Sequence, residues 1–341
     1  MNRKLNNNSL LLALMLLLSS CFKEDEIVVP QKPGNVETVT IEMLPDYTLQ
    51  AYFSFSAGGI IATNERSEYD LLLSTEPGNF TLWLNTSLFM YAAHTGVYDF
   101  NEPLTTQGRE WLFDQSSGKP DSNAIGTWWK FEAGRYTGTG EVLLIDRGID
   151  AEGMPRGYLK ILPGIDPLTG NVHLRIARPD GSQEREFTLQ RDPSRRFVSV
   201  SFDNGVNDPQ IEPPSLDWDL HFTTYTTLLF TNTGEPYPYL VNGVLLNDTL
   251  VRAIPDTTYP FREITREIAE NLELSAQRDI IGYDWKEING DVTSGNITYT
   301  ARPDLSYVIR DSRGILYKLR FIDFYNNQGK KGYPKFEYQR L

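Results

Sequence analysis

The sequence predicts an all-β protein of two tandem, internally duplicated β-rich domains, the second with one surface helix at about 261–277. Three observations lead there. Aromatic residues are plentiful (18 Tyr, 17 Phe, 6 Trp), and 26 Gly with 20 Pro punctuate the chain, a profile that favours strands and turns over long helices. Apolar and polar residues alternate in short runs such as Trp218-Asp-Leu-His-Phe222. Related segments also recur 149 positions apart: Tyr69-Asp70-Leu71 with Trp218-Asp219-Leu220, Phe53 with Phe202, Tyr158 with Tyr307, and Phe187 with Phe336. A length of 341 residues accommodates two such domains.

The first element is an address. Arg3 and Lys4 precede the apolar run Leu10–Leu18, and Ser19-Ser20-Cys21 follows, the order of a secretory signal over 1–20. Its nine apolar residues are too few for a membrane-spanning helix, which needs about 20. Leu18-Ser19-Ser20-Cys21 resembles the bacterial lipobox, which makes Cys21, the only cysteine, the expected lipidation site. Acyl chains at roughly 0.8 kcal/mol per buried CH₂ would then anchor the protein. Residues 21–35 read as an acidic tether, beginning Phe22-Lys23-Glu24-Asp25-Glu26. This run resembles the surface-export signal of Bacteroidetes lipoproteins, so the expected location is the outer membrane, lipid-anchored and exposed at the cell surface.

The two domains are expected at 36–193 and 194–341, parted by the charged turn Arg191-Asp-Pro-Ser-Arg-Arg196. In the second, Ser306–Arg310 and Leu316–Ile322 flank Asp311-Ser-Arg-Gly314 as a hairpin with glycine available for positive φ. In the first, Val172–Ile176 and Arg185–Leu189 flank Pro179-Asp-Gly181 in the same way. The helix is placed by Ile264, Ile268 and Leu272 at i, i+4, i+8, with Thr258 as cap and Pro260 in the first turn.

The chemistry of the chain is marked by what it lacks. Lys and Arg total 32 against 45 Asp and Glu, a formal charge of −13 that argues against nucleic-acid binding. Neither a G-x-S-x-G elbow, H-E-x-x-H, P-loop nor G-x-G-x-x-G occurs, so no catalytic residues are assigned and no enzyme is expected. Asp203-Asn-Gly-Val-Asn-Asp208 lacks the spaced glutamate of an EF-hand and reads as a polar turn.

Five segments then point to a family. Asp217-Trp-Asp-Leu-His-Phe222, Phe230-Thr-Asn-Thr-Gly234, Tyr307–Gly314, Leu316–Phe321 and Lys331–Tyr338 resemble the HmuY family of Bacteroidetes lipoproteins. The resemblance implies an all-β lipoprotein that captures haem and passes it to a TonB-dependent outer-membrane receptor. It also implies two axial side chains, histidines or methionines, in loops beyond the W-D-[IL]-x-F strand. The second half offers only His221, within that strand, while the first carries Met90 and His94 in Ser87-Leu-Phe-Met-Tyr-Ala-Ala-His94. The expected haem-binding residues are therefore His94, Met90 and His221, with Met154 and His173 as other donors. No metal is expected beyond haem iron, and no nucleotide cofactor. Aromatics such as Tyr91, Tyr98, Trp128 and Trp129 could cover the macrocycle. The alternative is a non-catalytic lipoprotein that grips glycan or protein through Tyr225, Tyr237 and Tyr239.

Overall fold

The computed structural model describes residues 32–203, 211–291 and 296–341. The signal, Cys21 and residues 204–208 of the polar turn lie outside the described residues. Gly34–Leu341 forms one compact unit. Its secondary structure is overwhelmingly β, as the composition predicts.

The strands sort around two hydrophobic cores. One five-stranded antiparallel sheet runs in the order 185–189, 172–177, 158–165, 142–146, 91–97. It shares a core with a three-stranded sheet of 197–200, 71–74 and 82–84, through buried Leu71, Leu82, Ile145, Ile161, Leu174 and Phe202. The other five-stranded sheet has the order 36–40, 331–340, 316–325, 306–310, 252–256. Its core joins it to a four-stranded sheet of 236–246, 220–230, 49–54 and 59–65, through Phe53, Phe222, Trp285, Leu319 and Phe336. Both expected hairpins are present, with Gly181 at φ 91° and Gly314 at φ 81°.

This sorting does not follow the expected boundary at 193/194. Phe197–Val200 pairs with Leu71–Ser74 in the first core, while Leu49–Ser54 pairs with Leu220–Phe222 in the second. Val36–Thr40 likewise pairs with the last strand of the chain, from Gln339 to Lys335. Each core thus takes strands from both sides of the boundary.

The two crossings use one set of bonds. Asp70 N donates to Val200 O (2.7 Å) and its carboxylate accepts Phe202 N (2.8 Å). Asp219 N donates to Phe53 O (2.9 Å) and its carboxylate accepts Phe55 N (2.8 Å). Asn85 Nδ2 then donates to the Arg66 and Tyr69 carbonyls, as Asn247 Nδ2 does to those of Ser215 and Trp218. Both acids are fully buried. A carboxylate accepting backbone N–H groups satisfies donors that the sheet ladder alone leaves open.

The helix is shorter than its apolar spacing predicts. Phe261–Glu263 makes a 3₁₀ turn, Ile264 is extended, and the α-helix runs only from Arg266 to Glu270. Thr265, not Thr258, caps it by accepting the Ile268 N–H. Beyond it Ser275 exchanges two backbone hydrogen bonds with Ala253 on the sheet edge, and this bridge draws the chain out of helical geometry. The edge is covered, but by an extended segment.

Candidate functional site

The strand Tyr91–Val97 is the edge of the first five-stranded sheet, and it presents Met90 and His94 to different surroundings. Met90 sits immediately before the strand with no exposed surface, packed in the first core beside Leu71 and Leu143. Its expected role at the iron is not supported here, because the thioether closes the core. His94 points outward, with 46% of its side chain exposed.

His94 is also held. Its Nδ1 lies 3.0 Å from Glu141 Oε2, on the residue that precedes the neighbouring strand Val142–Asp146. The other oxygen of Glu141 accepts the backbone N–H groups of Thr95 (3.1 Å) and Gly96 (3.0 Å). Burial alone would raise the Glu141 pKa, but the Gly96 N–H, His94 and the Thr95 N–H outweigh it and hold the carboxyl below its ordinary value. An ionised carboxylate only accepts, so Nδ1 carries the proton and neutral His94 keeps its lone pair on Nε2. A carboxylate behind an exposed imidazole is the arrangement that fixes tautomer and ring orientation in histidine metal ligands. Tyr98 is exposed nearby: its ring lies beside Gly140, next to Glu141.

Sequence reasoning missed Glu141. Forty-seven positions separate it from His94, and only the pairing of His94 with Leu143 brings them together.

His221 lies in a different cluster. It is 5% exposed, faces Tyr52 across the sheet, and stacks on that ring at 4.2 Å with 5° between planes. Gln50 Oε1 sits 3.2 Å from its Nε2. Burial, reinforced by Arg278 and Arg196, pushes its pKa well below the ordinary value, so the ring is a neutral core residue. The structure therefore does not gather His94, Met90 and His221 around one point. Of the other donors, Met154 is exposed in a turn, and His173 shares a hydrogen bond with Thr188. Trp128 is buried in the first core.

Tyr225 is buried, whereas Tyr237 and Tyr239 are exposed on the long ribbon of 220–230 and 236–246. Their rings meet edge to face at 6.2 Å. Among the described residues there is no group of three or more His, Cys, Asp or Glu that could hold a metal ion. No helix among them is long and apolar enough to cross a membrane.

A pair of β cores carrying an oriented, accessible imidazole defines a β protein with a ligand-capable surface. The chain belongs to the HmuY family: the HmuY protein family model matches residues 46–338. Among solved structures it is similar to apo PinO from Porphyromonas gingivitis, at 11% identity over 90% of this chain and 97% of that one, with a TM-score of 0.30. It is also similar to an apo HmuY analog (TFO) from Tannerella forsythia, at 9% identity over 93% and 99%, with a TM-score of 0.27. The family match, and not these distant likenesses, carries the assignment. No curated protein matches the chain.

Proposed function

We propose that the protein captures haem, without catalysis, and holds its iron through His94. The observation that carries the reading is the family match over residues 46–338. The geometry agrees with it in one respect that matters: His94 Nε2 is free to coordinate while Glu141 orients the ring. Neither Met90 nor His221 has the exposed surface to join it, so His94 alone is carried forward from the three expected ligands. Titrating haem into the purified protein is expected to give a shifted Soret band. Absence of any shift, with a signal on a glycan array, would instead favour the exposed Tyr237 and Tyr239 as a glycan-gripping surface.

The same reading includes anchoring through Cys21 at the outer membrane, facing outward, and transfer of haem to a TonB-dependent receptor. The lipobox-like Leu18-Ser19-Ser20-Cys21 supports the anchor. Cys21→Ser is expected to move the protein out of the membrane fraction and to abolish metabolic palmitate labelling; unchanged partitioning would refute it.

We also propose that 36–193 and 194–341 descend from one duplicated unit. The matched bonds of Asp70 with Asp219 and of Asn85 with Asn247 support this. Superposing the halves tests it, and unrelated strand orders would count against it.

A further inference from the structure

A cleft of about 760 Å³ opens beside Tyr158, away from His94 along the same sheet. Its lining is unusual for a protein with a formal charge of −13, because it gathers Arg147, Arg156, Arg178 and Arg185 against one carboxylate, Asp203.

Two of these arginines are already committed. Arg147 donates to Asp203 through Nη1 (2.8 Å) and Nη2 (2.7 Å), and to the buried Asp70 through Nε (3.0 Å). Arg156 reaches Asp203 at 2.9 Å and Asp70 at 3.1 Å. Two cations on two carboxylates make a neutral, rigid floor. Arg178 and Arg185 are exposed and form no ion pair among the described residues, although Asp180 lies near enough to feel Arg178. The cleft therefore presents two guanidinium groups with capacity left for an oxyanion.

Its size and walls narrow the ligand further. The volume falls within the range of small-molecule sites and far exceeds that of a lone inorganic anion. Thr105, Gln107 and Gln183 supply neutral hydrogen-bonding groups to the walls. Tyr158 offers an exposed ring, steadied by Trp111 at 5.6 Å and by its phenol bonding to Asp146. No His, Met or Cys lines it, so nothing there suits haem iron.

We propose that this cleft binds an acidic sugar, its carboxylate taken by Arg178 and Arg185 and its ring laid on Tyr158. The inference stands apart from the haem reading. Calorimetry with the intact protein tests it, using glucuronic acid, glucose and sodium sulfate as probes and haem as a competitor. Glucuronic acid is expected to bind at least roughly tenfold more tightly than glucose or sulfate, and to weaken with salt. Arg178→Gln and Arg185→Gln should each lower that affinity about tenfold, the scale of one lost charged hydrogen bond. Thermal unfolding should not change, since both side chains are exposed. Equal binding of glucose, or sulfate binding as tightly as glucuronic acid, would overturn the proposal. So would unchanged affinity in both arginine variants, or displacement of glucuronic acid by haem.

Discussion

Asp70→Ala is expected to cost about 3–5 kcal/mol of folding stability, the scale of a buried ion pair broken from one side. The acid is fully buried and faces two guanidinium groups, Arg147 and Arg156, whose side chains are only 11% exposed. Removing it leaves those cations with Asp203 alone and orphans the Phe202 N–H where the strand Phe197–Val200 has just joined the first core. Asp219→Ala provides the comparison. It orphans the Phe55 and Ser312 N–H groups, but no cation sits on it, so the expected loss is smaller, about 1–3 kcal/mol. Urea unfolding at neutral pH measures both, and equal losses would show that the guanidinium groups contribute nothing. Acid should act on the same cluster. The Arg147 hydrogen bond holds Asp203 down to about 2 against an ordinary 3.8. Its contribution is therefore complete above pH 4 and lost as the pH falls through about 2. Asp203 is half exposed, so this acid-linked loss is modest beside that of Asp70.

The same two aspartates show how much of the fold was legible. Asp70 and Asp219 stand 149 positions apart in the sequence, and each fastens a strand contributed from elsewhere in the chain. What the spacing could not reveal is which strand. Leu71 pairs with Val200 and Leu220 with Phe53, so the equivalent partners are 147 positions apart and Phe202 corresponds to Phe55 rather than Phe53. A two-residue difference keeps every side chain on its own face of the sheet, so hydrophobic alternation carries no trace of it. The helix failed for a related reason. Ile264 is buried as its spacing requires, yet the pull of Ser275 onto Ala253 is a long-range pairing that local periodicity does not encode. The candidate site was legible only as residue types. Met90 and His94 are four apart at the start of one strand, and only the sheet around them decides that one closes the core while the other meets solvent.

His94→Ala is expected to lower haem affinity by more than roughly a hundredfold, since it removes the coordinating atom itself, whereas loss of an orienting partner alone costs about 10–100-fold. Thermal unfolding should be nearly unchanged, because the side chain is largely in solvent. Met90→Leu should leave the Soret band in place, as a volume-conserving change inside the first core. His221→Phe should do the same, its ring being stacked on Tyr52 in a separate cluster. Glu141→Gln is the sharper test, because it separates ligation from mere exposure of a histidine. The Glu141 carboxylate makes Nδ1 the donor and leaves the lone pair on Nε2. An amide NH₂ in that place would donate to Nδ1, move the ring proton to Nε2 and block coordination, while the amide oxygen could still accept from Thr95 and Gly96. Affinity should fall about 10–100-fold with the strand edge intact. If His94→Ala and Glu141→Gln both bind haem as the unaltered protein does, the iron is held elsewhere, and the carboxylate behind His94 only fastens the strand bulge at Thr95 and Gly96.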